Sequence, residues 1–326
     1  MFFPNYLANG SSQNRTALLL YDMEGIIGVV SLNENHKKRN YSLLQHELQI
    51  VIDNLKKYGI QKIALCDVHN TGKSAHNMLN ELKFEGNLII LPFCELWSKS
   101  QDYRFAIMLG FHGMKNSGGR FDHTFRSDIL SCKIEDVQIG EVGLFSRFLE
   151  GQGTQILFIS GEGNFIEELE QTLKERVYIH KTKNYYSSME DVQDEFDRFD
   201  NLLLESLKFV KIGAITSING ILRVEVDHMD KYIILSKAPY CFKVANWGFI
   251  FDSIACFLSE IIDFCIALQK ASSIILRKNL DIIKEIKSRQ DKIFELKEYL
   301  CLPAYCLSET ERIKISQILG INYECV

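Results

Sequence analysis

Short, nearly continuous apolar runs alternate with helical patterns through the first two-thirds of the chain. Thr16–Tyr21 (TALLLY), Lys62–Cys66 (KIALC), Asn87–Leu91 (NLIIL), Phe105–Leu109 (FAIML) and Gln155–Ser160 (QILFIS) read as strands covered on both faces. Between the first two, Leu44, Leu48, Val51, Ile52 and Leu55 mark a helix over Tyr41–Tyr58 that Gly59 closes. Further helices are expected over Asn164–Lys174, over the acidic, amphipathic Asp191–Leu207 and over the mostly apolar Phe249–Leu268. Ile221–Val226 alternates apolar and polar residues, as a half-exposed strand does. This β-α-β rhythm predicts an α/β fold, a three-layer domain with a mostly parallel central sheet.

The character changes near Lys270. Leu276, Leu280, Ile283, Ile286, Ile293, Leu296 and Leu300 form one apolar stripe amid Lys and Glu, and Pro303 breaks it. Ser308 and Glu311 then form a capping box for a last helix through Leu319. The expected organisation is a flexible leader over 1–15, a main domain over 16–270 and a C-terminal helical extension over 271–326. The extension reads equally well as helices packed on the core or as an arm for a partner.

Composition narrows the function classes. The 326 residues are 46% hydrophobic, enough for a large core, and 37 Lys+Arg against 42 Asp+Glu leave a net charge of −5. With no basic stripe, nucleic acid is not an expected partner. Ile254–Leu268, a long apolar run, is interrupted by Ser259, Glu260 and Asp263, so no membrane span is expected. The N-terminus lacks a basic region followed by a long apolar one, which argues against a secretory signal. Nine cysteines without CxxC pairs suit a reduced, cytoplasmic setting, with Cys66, Cys256 and Cys265 serving as small core residues.

Chemistry gathers at strand ends. The first strand runs into Asp22-Met-Glu24-Gly25, the second into Asp67-Val-His69 and the fourth into Gly110-Phe-His112-Gly113. Ligands of parallel sheets bind just outside the carboxyl ends of the strands, so Asp22, Glu24, His69 and His112 should converge. Gly25, Gly110 and Gly113 would let the backbone turn sharply there. Imidazoles with carboxylates suit zinc or a similar divalent ion, and more than four ligands suit two ions about 3.5–4 Å apart. Taken singly, each motif has a plainer reading: a DxE after a strand is often a solvated turn, and a lone histidine often a structural hydrogen-bonder.

Five motifs together, YDMEG (Tyr21–Gly25), DVH (Asp67–His69), LGFHG (Leu109–Gly113), His123 and IGEVGL (Ile139–Leu144), resemble the zinc-dependent D-aminopeptidase (DppA-like) metallopeptidase family. The resemblance covers about residues 16–270. It implies two divalent ions, most often Zn2+, with Asp22 bridging both. Glu24 and His69 would complete one ion, His112 and Glu141 the other, and His123 would act as general acid/base or polarise the substrate carbonyl. It also implies a homo-oligomer, ring-shaped in the family, acting on a small peptide or amino-acyl amide. Asp67, two positions before His69, would either orient that ligand or cap the turn.

The implied activity is a dinuclear-metal amide or peptide hydrolase, an aminopeptidase on small peptides including D-residue ones, working through a metal-bridging hydroxide. The periphery departs from the family pattern. Leu20 replaces the serine of SxDxEG, Gly161-Glu162-Gly163 replaces an Asp-rich turn, and Tyr186 stands where an arginine is usual after Lys181. These departures leave room for a dedicated hydrolase that tailors one specialised peptide or metabolite. A non-catalytic, metal-stabilised scaffold with a partner-binding tail is the third reading.

Overall fold

The computed structural model describes residues 16–69, 88–134, 136–165, 177–183, 185–208, 221–227, 243–245, 248–252 and 254–287, with isolated positions between them. Its centre is a six-stranded, wholly parallel sheet in the order β3-β2-β1-β4-β7-β8. The strands are β1 (Thr16–Tyr21), β2 (Lys62–Asp67), β3 (Leu88–Ile90), β4 (Phe105–Phe111), β7 (Gln155–Glu162) and β8 (Tyr178–Thr182). The expected mostly parallel α/β architecture is therefore present.

Successive side chains of β1 enter opposite cores, as a period of two requires. Ala17, Leu19 and Tyr21 face helices α1 (Lys37–Lys57) and α3 (Met189–Lys208), together with Leu48, Phe196 and Phe199. Leu18 and Leu20 face the other side, where α2 (Glu141–Gly151) and α4 (Ile254–Lys287) contribute Phe145, Phe257 and Phe264. Leu20 is wholly buried there.

A second sheet lies beyond what the apolar pattern foretold. It is antiparallel, in the order β10-β11-β9-β5-β6, with β5 (Ile129–Ile134), β6 (Val137–Gln138), β9 (Leu222–Val226), β10 (Lys243–Ala245) and β11 (Gly248–Phe251). The expected strand near Ile221–Val226 is its middle member. One expectation is corrected: Phe249–Phe251 is not the start of a helix but strand β11, pairing with β9. Phe249 and Phe251 point into the core and Ile250 away from it, the alternation of a strand.

Helix α4 begins only at Ile254 and runs unbroken past Lys270 to Lys287, so the change of character near Lys270 falls inside one helix. Pro303, the capping box at Ser308–Glu311 and most of the helix expected over Asn164–Lys174 lie outside the described residues. Among the described residues, no helix is long and apolar enough to cross a membrane. Cys66 and Cys265 are buried, as core residues should be, and Cys256 is half-buried.

Candidate metal centre

The register of the parallel sheet levels the ends of its central strands. Tyr21 pairs with both Asp67 and Leu109, so the residues that follow, Asp22, Val68 and Gly110, lie side by side. The backbone N–H of Asp22 donates to Leu109 O at 2.8 Å, and that of Gly25 to Gly110 O at 2.7 Å. Two glycines make this approach possible. A Cβ on Gly25 would stand 2.0 Å from Phe111 O, and Gly110 has φ +69° with its absent Cβ 2.3 Å from Asp22 O. Gly25 thus serves close approach, whereas Gly110 serves the sharp turn.

On this platform the structure brings Asp22, Glu24, His69, His112 and Glu141 together. His69 Nδ1 lies 3.0 Å from Asp22 Oδ1 and 2.7 Å from Glu24 Oε2. His112 Nε2 lies 3.6 Å from Asp22 Oδ2 and 3.4 Å from Glu141 Oε1. Donor atoms of Asp22, Glu24 and His69 lie within 4.8 Å of one another, and so do those of Asp22, His112 and Glu141. Asp22 belongs to both groups. Four of the five residues are buried, whereas 21% of the His69 side chain is exposed, so the cluster is open on the His69 side.

Glu141 reaches the cluster by another route. It opens helix α2, where the helix dipole favours a carboxylate, and its Oε1 accepts the Phe125 N–H at 2.6 Å. Phe125 adopts φ +60°, a costly conformation for an aromatic residue, with its ring edge-on to Phe145 and Phe257. Asp67 Oδ1 accepts the His69 backbone N–H at 2.9 Å, which supports the turn that carries this ligand candidate.

The donor chemistry fits a divalent cation. His112 Nδ1 lies 3.0 Å from the Gly113 carbonyl, which can only accept, so Nδ1 carries a hydrogen and Nε2 faces the carboxylates. That buried Nε2 has no hydrogen-bond partner among the described residues. A group of this kind is costly unless a ligand satisfies it. The carboxylates crowd one another too. Burial, then the charge of Asp22, pushes the Glu24 carboxyl up to about 8. Burial would also raise Asp22, but hydrogen bonds with Glu24 and His69 outweigh it and hold that carboxyl well below the usual range. Burial alone would lower both imidazoles. Hydrogen bonds to Asp22 and Glu24 instead push His69 up to about 11, and the Glu141 and Asp22 carboxylates push His112 up to about 10. The cluster therefore holds protons where a cation would sit.

His123 lies beside this group, half-buried, its ring stacked on His112 at 4.2 Å between centroids and 12° between planes. Its Nδ1 donates to the Phe121 carbonyl at 2.7 Å, which leaves Nε2 for other partners. The segment carrying it is tied to Glu162, in the Gly161-Glu162-Gly163 turn at the end of β7. Glu162 Oε1 accepts the Arg120 N–H at 2.5 Å and Oε2 the Phe121 N–H at 3.5 Å. Lys181 lies over Gly163, whose absent Cβ would meet Lys181 Cε at 2.1 Å. The Tyr186 ring packs on the α1/α3 core, and its hydroxyl accepts the Lys183 N–H at 3.3 Å.

Fold and cluster together define an α/β protein with a candidate metal centre at the carboxyl ends of a parallel sheet. The chain belongs to the D-aminopeptidase family, whose match spans residues 17–208. It is similar to the D-aminopeptidase of Bacillus subtilis (strain 168), with 24% identity over 160 residues. That match takes in 47% of this chain and 58% of the relative's length. The fold resembles that of the Zn-dependent D-aminopeptidase DppA from Bacillus subtilis, described as a self-compartmentalizing protease. The TM-score is 0.64 at 18% identity, covering 78% of this chain and 98% of that one.

Proposed function

We propose that the chain is a dinuclear zinc aminopeptidase that hydrolyses the amide bond of small peptides, D-residue peptides among them. The observation that carries this reading is the pair of three-residue donor groups sharing Asp22. Asp22 would be shared by two ions, with Glu24 and His69 holding one and His112 and Glu141 the other. When bound, the ions supply Lewis acidity that polarises an amide carbonyl and makes water nucleophilic at neutral pH. The open side at His69 admits the substrate. His123 moves the proton at Nε2 to the leaving amine, its ring held by the Phe121 carbonyl. Family membership supports the peptidase chemistry, and the assembly described for the Bacillus enzyme supports a homo-oligomer here.

Elemental analysis of purified protein, coupled to a screen of D- and L-aminoacyl amides, tests this directly. Two zinc ions per chain and chelator-sensitive amide hydrolysis are expected. A metal-free protein of undiminished activity would sink the reading.

The protonation of the cluster gives a second expectation. With His69 raised to about 11 and His112 to about 10, the metal-free protein carries both imidazolium protons at neutral pH. Zinc needs the neutral imidazoles, so loading releases protons, and apparent affinity rises with pH up to about 11. The same raised values stabilise the metal-free fold fully below about 6.5, and that contribution fades as pH climbs through 10 to 11. Calorimetric zinc titrations in buffers of different ionisation enthalpy read the release. Heats independent of the buffer would contradict it.

Glu162→Ala should loosen the His123 segment while leaving zinc content unchanged. A displacement of about 1 Å can cost about a hundredfold in rate, so kcat should fall by up to that factor with KM little altered. Steady-state kinetics alongside metal analysis separates this from loss of the ions.

A further inference from the structure

One fully buried carboxylate lies outside the cluster. Glu47 stands on the inner face of α1 with none of its surface exposed. Its Oε2 accepts the Ile27 N–H at 3.0 Å, and its Oε1 accepts the Ser160 hydroxyl at 2.9 Å. Ser160 Oγ in turn accepts the Gly110 N–H at 3.3 Å. The three segments so gathered are those that carry the chemistry. Ile27 follows Asp22 and Glu24 in the loop after β1, Gly110 precedes His112 by two residues, and Ser160 precedes Glu162 by two.

The charge of this residue does not stabilise the fold. Among the described residues no cation pairs with Glu47, and burial pushes its carboxyl up to about 7 against the hydrogen bonds from Ile27 and Ser160. A buried carboxylate without a counter-ion costs free energy that an apolar side chain of similar size would not. What the carboxylate supplies is acceptor geometry. Two oxygens at fixed separation receive an N–H from one ligand-bearing loop and, through Ser160, an N–H from another. The relay has a direction, Gly110 N–H to Ser160 Oγ–H to Glu47, and an amide NH2 in place of Oε1 would take away the acceptor at its end.

We infer that Glu47 is a positioning residue for the metal centre. It sets the spacing between the Asp22–Glu24 carboxylate pair and the His112 imidazole, and with it the affinity for both ions. This rests on the zinc reading proposed above.

The test uses the full chain as wild type, Glu47→Leu, Glu47→Gln and Ser160→Ala. Zinc affinity is read by competition with a chelating indicator, and thermal unfolding is followed on the metal-free proteins. Wild type should take two zinc ions. Glu47→Leu, which leaves the buried Ile27 N–H and Ser160 hydroxyl without their acceptor, should unfold at a lower temperature than wild type and, while folded, bind zinc about tenfold or more weakly, the usual cost of losing an outer support of a metal site. Glu47→Gln should also bind more weakly, because its amide has one acceptor oxygen and can serve Ile27 or Ser160 but not both. Ser160→Ala keeps the Ile27 arm, so it should weaken only the ion on the His112 side. Folded Glu47 variants with wild-type zinc affinity would overturn the inference. If neither Glu47 variant folds, wild-type affinity in Ser160→Ala would overturn it instead. A wild type that binds no zinc brings down the zinc reading and this inference together, a result distinct from either.

Discussion

Asp22→Ala is expected to strip the whole centre of metal, while Glu24→Ala and Glu141→Ala should each remove about one ion. The difference follows from geometry. Only Asp22 offers one oxygen to His69, at 3.0 Å, and the other toward His112, at 3.6 Å. Without it, the first group falls to Glu24 and His69 and the second to His112 and Glu141, two donors each, where catalytic zinc ordinarily takes three protein ligands. Activity should fall by at least about ten-thousandfold. Metal lowers the pKa of water from 15.7 to about 7, a large share of accelerations that commonly exceed about a millionfold. Asp22→Asn, which keeps the shape and removes the charge, should behave nearly as badly. Elemental analysis and amide-hydrolysis assays on the same preparations decide the matter. An Asp22→Ala protein that keeps both ions would refute the bridging role.

Much of this centre was legible because a parallel sheet converts sequence into position. Asp22, Glu24, His69 and His112 follow apolar runs whose carboxyl ends must share one edge, and the level register of Tyr21, Asp67 and Leu109 delivers that. Glu141 obeys no such rule. It opens a helix and is drawn in by a loop with Phe125 at positive φ, so only the family spacing pointed to it. Glu47 and Glu162 were beyond reach because their partners are distant in sequence, Ser160 lying 113 residues from Glu47 and Arg120 lying 42 from Glu162. The one signal for Glu47 was a charged residue standing among Leu44, Leu48 and Val51 on an apolar helix face. The second sheet hid for a different reason. Its strands are short and carry Lys133, Arg223 and Glu225 on their outer side, which dilutes the apolar pattern, and β11 sits inside a run that reads equally as helix.

His123→Ala is expected to keep both ions and lose most of the turnover. Its Nδ1 is committed to the Phe121 carbonyl, and its ring lies flat against His112, so Nε2 is the ring nitrogen left for the proton transfer proposed above. General acid–base catalysis by a positioned side chain contributes about a hundredfold to ten-thousandfold, and kcat should fall within that span while KM changes little. Leaving-group dependence distinguishes this role from a loss of packing. An anilide with a strongly electron-withdrawing ring departs without much help from a proton, whereas an alkylamine does not. The deficit of His123→Ala should therefore be markedly smaller on the activated anilide than on an aminoacyl alkylamide. Equal deficits on both would take His123 out of proton transfer. Loss of an ion would assign it a different role, because Glu24, His112 and His123 also present donor atoms within 4.8 Å of one another. Zinc content and the two rates, measured on one preparation, separate the three outcomes.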